Sequence, residues 1–592
     1  MTERLTVAQA LVRFLAVQWS ERDGERRRAI PAVCGIFGHG NVCALGAALA
    51  ESELRFIPPK HEQAMVHTAL GYAKATRRLA TLVCTASVGP GATNLVTGAA
   101  TATINRLPVL LLAADTFASR RSGTVLQQLQ HPASRDWTAN ECLRPVSRFF
   151  DRITRPEQLL DSLPEAMRVL LDPADCGAVT LALPQDVQGE SHDYPSAFFG
   201  PRVWRVPRPA PDPQAVAAAA EAIAAAERPL VIAGGGVRHS GAEAALEALG
   251  LPVAETSAGK GSASGPLLLG GIGVNGTGAA DEIAAEADLV VCVGTRLTDF
   301  TTASRSAFAD PAVRFVGVNV SASDAAVLGA IPVVADARAA LEALAAALGT
   351  WRLPASHRER VAAARSRWSE AVAADLAPRE GERMSQAQAL RCLNDASRPG
   401  DWVVAAAGSP PGDLLKLWDV VPGSHAHIEF GFSCMGHELP AAIGIRLAEP
   451  DAGEVTAVIG DGTFLMSPTE LVTAVQERAK VTVLLFVNSG WMSIGSLQRE
   501  RFGTEFRLRD AGGGAPAGEL MEVDHAAIAR GLGAAVWRVA TPAELERALA
   551  EAREASGPAL IECHVEPRRM ALGSGAWWDL GLEPAAAQRF HG

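Results

Sequence analysis

Short apolar runs closed by glycine or small residues recur along the whole chain, and stretches with helical spacing separate them. Residues 455–459 (Val-Thr-Ala-Val-Ile) and 481–487 (Val-Thr-Val-Leu-Leu-Phe-Val) have the unbroken apolar character of strands buried on both faces. Similar runs fall at 54–57, 105–115, 229–233, 287–293 and 314–318. Helical spacing marks 6–18, the segment from Lys60 to Lys74, and 467–478, the last with Ser467 placed as N-cap and Pro468 in the first turn. This alternation predicts an α/β fold of doubly wound parallel sheets. Proline-rich residues 201–213 read as a linker, a helical segment carrying Trp351 and Trp368 as another, and the charged stretch 21–28 as a solvated loop. We expect three doubly wound domains, at 1–200, 214–350 and 380–570, followed by a tail at 571–592.

The candidate chemistry gathers at the ends of these runs. Gly460-Asp461-Gly462 closes one strand and Asn488-Ser489-Gly490 the next, with a helical segment between them. A right-handed strand-helix-strand unit sets two such strand ends side by side, so Asp461 and Asn488 can share one hard cation. Mg²⁺ takes about six oxygens, and a carboxylate, an amide oxygen and the Gly490 carbonyl leave places for phosphate oxygens and water. Taken alone, Gly-Asp-Gly also fits an ordinary turn.

Further back, Lys60-His61-Glu62-Gln63-Ala64 opens a helix with Glu62 at its start, where a glutamate also serves as a simple partner for the helix dipole. A glycine turn around His39 and Asn41 and the loop 85–94 lie near two other strand ends, and Leu126-Gln127-Gln128 falls on a further loop. Gly234-Gly-Gly236 lacks dinucleotide-fingerprint spacing and reads as a turn.

Composition narrows the class. The chain has 592 residues, too many for one core, and a formal charge of −11, which advertises neither nucleic acid nor an anionic membrane. Nine cysteines are scattered without metal-ligand spacing, and no run approaches a membrane span, so a soluble cytoplasmic enzyme is expected.

The Gly-Asp-Gly and Asn-Ser-Gly pair resembles the thiamin diphosphate (ThDP) fingerprint, and the order of domains resembles the acetohydroxyacid synthase branch of ThDP enzymes over nearly the whole chain. Residues 36–42, 105–108, 125–128, 144–147, 183–186, 430–436 and 502–506 resemble, within that branch, hydrolases that open a cyclic 1,2-dione in myo-inositol breakdown. The chain departs from their pattern at Ser122-Gly-Thr124, at His437 and at Trp491-Met-Ser493.

The resemblance implies three ThDP-type domains and the cofactors ThDP and Mg²⁺. It implies Glu62 beside N1′ of the aminopyrimidine, Met435 under the bent cofactor, and Gly408, Ser409, Ser433 and Gly462 around it. Asp461, Asn488 and Gly490 would hold the metal. It implies hydrolysis of trihydroxycyclohexane-1,2-dione to 5-deoxy-glucuronate; for that reaction His39, on its glycine turn, is the candidate for activating water or moving a proton, and Gln127 or Gln128 for holding an oxyanion. A homodimer or tetramer with active sites at the dimer interface is implied as well. FAD is not expected to be required, because Arg296-Leu-Thr-Asp-Phe300 lacks the Asp-Asp-Arg of FAD-binding relatives. Two other readings stay open: a 2-oxoacid carboligase acting on pyruvate, and a catalytically idle ThDP-fold subunit.

Overall fold

In the computed structural model, which describes residues 1–119, 121, 123–129, 131–509 and 523–581, the predicted α/β alternation forms three six-stranded sheets. Ser122 therefore lies outside the described residues, as does the end of the tail. Every neighbouring pair of strands in these sheets is parallel. The first sheet runs Arg55–Ile57, Ala32–Gly35, Val83–Ala86, Val109–Asp115, Ala178–Pro184, Phe149–Arg152. The third has the same winding: His425–Ile428, Trp402–Ala405, Val455–Gly460, Thr482–Val487, Ala559–His564, Ala535–Val539. The middle sheet winds outward from Pro229–Ala233 in both directions. Its central strands Pro229–Ala233 and Leu289–Val293 are apolar and buried along their whole length, as parallel strands covered on both faces are.

The chain divides into two compact units. One holds Met1–Pro207 together with Gly436–Asp451 and Thr469–Ala479; the other holds Arg208–Met435, Ala452–Pro468 and Lys480–Gly592. Within the first unit the helices Glu62–Ala75 and Glu438–Ala448 meet backbone to backbone. A Cβ at Gly71 would lie 2.1 Å from the Ala441 carbonyl oxygen, and one at Gly444 would lie 1.9 Å from that of Thr68. Only glycine permits this approach.

Three local expectations give way. Residues 21–28 are no loop: Gln18–Arg22 and Glu25–Arg28 pair antiparallel across Asp23-Gly24, both with positive φ, which is the turn that suits a right-twisted hairpin. The 201–213 segment contributes a strand, Arg202–Arg205, to the same small sheet. The helix expected at 467–478 spans only Glu470–Gln476 and follows Thr469, since 465–469 form turns. Among the described residues, no helix is long and apolar enough to cross a membrane.

At the glycine-mediated helix crossing, the buried imidazoles of His67 and His437 meet edge to face, ring centres 4.8 Å apart. Burial pushes the His437 pKa down to about 3. The unfolded chain takes up that proton near the ordinary value of about 6.5, whereas the folded chain does not until about 3. Stability should therefore fall as pH drops below about 6.5, by up to about 1.4 kcal/mol per unit from this group. His437→Phe should make the acid-side fall of the urea midpoint shallower, and an unchanged slope would contradict the assignment.

Candidate active site

In a doubly wound sheet, ligands sit beyond the carboxyl ends of the strands, where the winding reverses. In the third sheet that reversal lies between Trp402–Ala405 and Val455–Gly460, and the loops after them carry Gly408 and Asp461. Asp461 opens the one-turn helix Asp461–Phe464 and is 1% exposed. Its Oδ1 accepts the Gly462 N–H at 2.9 Å. Its Oδ2 accepts those of Asn488 at 2.9 Å and Ser489 at 2.6 Å. Burial pushes this carboxyl up, and the three N–H donors oppose the shift without cancelling it. A cation at the free lone pairs would favour the ionised form.

Asn488 supplies the second acceptor. Its side-chain Oδ1 is buried and has no hydrogen-bond partner among the described residues. Leaving such an acceptor unsatisfied costs about 1–3 kcal/mol, and a hard cation shared with Asp461 is a group that would satisfy it. The residues present thus fit the implied metal. Gly490 lies against Leu508, whose carbonyl oxygen would be 2.3 Å from a Cβ there, so the loop is glycine-thin at this point. A Cβ at Gly462 would come within 2.9 Å of the Trp491 ring, which places the indole over the loop.

Gly408 adopts φ +82° at the N-cap of the helix Ser409–Leu417. Pro410 and Pro411 remove two first-turn N–H groups, so this helix end offers a phosphate fewer backbone donors than an ordinary one. The Ser409 hydroxyl donates to Gln386 Oε1 at 3.1 Å. The turn carrying Ser433 and Met435 is organised by Glu429, a buried carboxylate that accepts the Phe432 N–H at 2.8 Å and the Cys434 N–H at 2.9 Å. Ser433 sits in the left-handed region at φ +52°, with its hydroxyl donating to the Ala406 carbonyl at 3.3 Å. Met435 remains half-buried.

The first unit repeats the arrangement at the reversal between Ala32–Gly35 and Val83–Ala86. Glu62 is the first residue of its helix, half-buried, and its Oε2 accepts from the Asn94 amide at 3.0 Å. Two residues earlier, the Lys60 N–H donates to the buried Glu470 carboxylate at 2.9 Å. His39 is exposed on its turn, whereas Asn41 is buried and holds the turn together, accepting the Gly38 N–H at 3.0 Å and donating to Thr85 Oγ1 at 3.1 Å. Gln127 is exposed at φ +64°, and its carbonyl oxygen would be 1.8 Å from a Cβ on Gly89. The buried amide belongs to its neighbour Gln128, whose Nε2 and Oε1 have no partner among the described residues.

The structure therefore gathers Asp461, Gly462, Asn488 and Gly490 at one pair of loops, and Glu62 with Asn94 and the glycines 89 and 91 at another. Glu429 and Glu470 escaped the sequence reading. A lone glutamate after a strand or at a helix start carries no local signal of the backbone amides it will hold.

Comparisons with known proteins bear on this arrangement. Family models match three segments: the thiamine pyrophosphate enzyme N-terminal TPP binding domain at 26–134, the central domain at 216–344 and the C-terminal TPP binding domain at 406–563. The chain is 44% identical over 616 residues to a 3D-(3,5/4)-trihydroxycyclohexane-1,2-dione hydrolase of Geobacillus thermodenitrificans, covering 98% of this chain and 96% of the relative. It is 42% identical to a second such hydrolase of Bacillus cereus and 41% identical to one of Clostridium perfringens, with the same coverage of both chains.

The orphaned oxygen of Asn488 makes a prediction. Asn488→Leu removes the unsatisfied acceptor, so the metal-free protein should keep or gain stability, by up to about 3 kcal/mol. Divalent cation with ThDP should raise the melting temperature of the wild-type protein and leave that of the variant unmoved; equal cation shifts in both would contradict a ligand role for Asn488.

Proposed function

The chain belongs to the thiamine pyrophosphate enzyme family, and from that premise we propose that it hydrolyses trihydroxycyclohexane-1,2-dione to 5-deoxy-glucuronate in myo-inositol degradation, with ThDP and Mg²⁺. The observation that carries this reading is 44% identity over 98% of the chain to a hydrolase named for that substrate. In this reaction water supplies a hydroxyl to one carbonyl carbon, which becomes the carboxylate, the ring bond between the two carbonyls breaks, and the other carbon takes a proton and becomes the aldehyde at the far end of the same opened chain. ThDP, when bound, supplies the carbanion equivalent such a cleavage needs.

These side-chain roles are part of the proposal. Asp461 and Asn488, with the Gly490 carbonyl, would hold Mg²⁺. Gly408, Ser409, Gly462 and Ser433 would line the diphosphate, and Met435 would support the cofactor. The Glu62 carboxyl would exchange a proton with the aminopyrimidine. His39, exposed on its turn, moves a proton at a substrate oxygen, and Gln127 or its neighbour Gln128 holds an oxyanion. We assign FAD no role.

Glu62 and the cation loop belong to different compact units, and we take the working enzyme to be a homodimer or a tetramer built from dimers, with active sites at the dimer interface. Nine free cysteines suit a reducing cytoplasm.

Glu62→Gln keeps size and hydrogen bonding but cannot release the proton. It should retain ThDP binding and lose turnover of the dione by about 10²–10⁴-fold. Wild-type turnover in that variant would remove Glu62 from the mechanism.

A further inference from the structure

The segment after the cation loop carries the Phe502-Gly-Thr-Glu-Phe506 motif, to which the catalytic roles assign nothing. The helix Met492–Phe502 ends at Gly503, φ +69°, and the chain doubles back. Residues 508 and 509 then run against the cation loop: Gly490 and Arg509 form an antiparallel bridge, and the Trp491 N–H donates to the Leu508 carbonyl at 2.8 Å.

Arg509 spends its whole fork on this junction. Nη1 donates to the Asn488 carbonyl oxygen at 2.7 Å, Nη2 to that of Pro567 at 2.7 Å, and Nε lies 3.0 Å from Glu505 Oε1. Glu505 is held in turn by Arg499 Nη1, 2.9 Å from its Oε2. Gly495 leaves the room this carboxylate needs, since a Cβ there would come within 2.3 Å of Glu505 Oε1.

We propose that Arg509, oriented by Glu505 and Arg499, is a positioning residue for the divalent cation. The inference rests on the cation-site reading above. Asn488 is fixed from both sides: Asp461 holds its N–H and Arg509 holds its carbonyl. With both peptide groups pinned, the backbone of Asn488 loses its freedom before any ligand arrives, and its side-chain oxygen is pre-aimed. A guanidinium fork, paired and charge-assisted, suits this task better than a flexible ammonium.

The test uses Mn²⁺ as the probe, titrated into cofactor-free protein with ThDP present, with free Mn²⁺ read by electron paramagnetic resonance. Hydrogen exchange of the 488–491 amides is measured without ThDP or metal. Arg509→Gln should weaken Mn²⁺ binding by about 10–100-fold, the range usual for outer-shell partners of a metal ligand. The same variant should speed exchange of the 489–491 amides. Arg509→Lys should recover part of the affinity, and Glu505→Gln should weaken binding by a smaller factor than Arg509→Gln. Unchanged Mn²⁺ affinity in an Arg509→Gln protein with wild-type melting temperature would overturn the proposal. Should that variant not fold, unchanged affinity in Glu505→Gln would overturn it. Wild-type protein that takes up no Mn²⁺ with ThDP would overturn the cation-site reading itself.

Discussion

A carboxylate nearly removed from water has to be held by donors, and at Asp461 the donors are the backbone N–H groups of Gly462, Asn488 and Ser489. Two of these follow the strand Thr482–Val487, which pairs in parallel with Val455–Gly460, the strand that delivers Asp461. One side chain thus ties together two neighbouring strand ends and fixes the direction in which Asn488 leaves the sheet. The unsatisfied Asn488 oxygen is the counterpart of that arrangement. A buried acceptor without a partner lowers the stability of the empty fold, and such a departure from good packing belongs at a site built for a ligand.

The first and third sheets share one strand order, so the same crevice exists twice. In the third sheet it carries the anionic and amide oxygens that suit a metal cation. In the first it carries Glu62, with glycines at 89 and 91 where the chain lies close to the Gln127 carbonyl and the Glu62 carboxylate. The middle sheet, wound differently, has neither constellation among its described residues. This division of labour follows from the fold: parallel strands expose their carboxyl ends on one edge, and what the following loops carry decides the chemistry.

Local chemistry made much of this legible in the sequence. The buried strands announce themselves as unbroken apolar runs, and Gly-Asp-Gly and Asn-Ser-Gly stand directly at strand ends, so the Asp461 and Asn488 pair needed only the strand-helix-strand rule to be brought together. Interactions that depend on distant partners stayed hidden. Glu470 holds the Lys60 N–H from more than 400 positions away, and Arg509 reaches back to the Asn488 carbonyl. The hairpin at 18–28 was obscured by its charges, although Asp23-Gly24 carried its turn signal; Trp19 faces Arg26 and Arg28 across it, an exposed cation–π packing that a count of charges does not reveal. The difference between Gln127, exposed with a positive φ, and Gln128, whose amide is buried, was likewise invisible in the sequence.

The most direct measurement is product analysis by nuclear magnetic resonance of the purified protein with ThDP and Mg²⁺, offered the trihydroxy cyclic dione and pyruvate in separate reactions. The account predicts an aldehyde-acid from the dione and no reaction with pyruvate. Acetolactate or acetaldehyde from pyruvate, with the dione untouched, would contradict it.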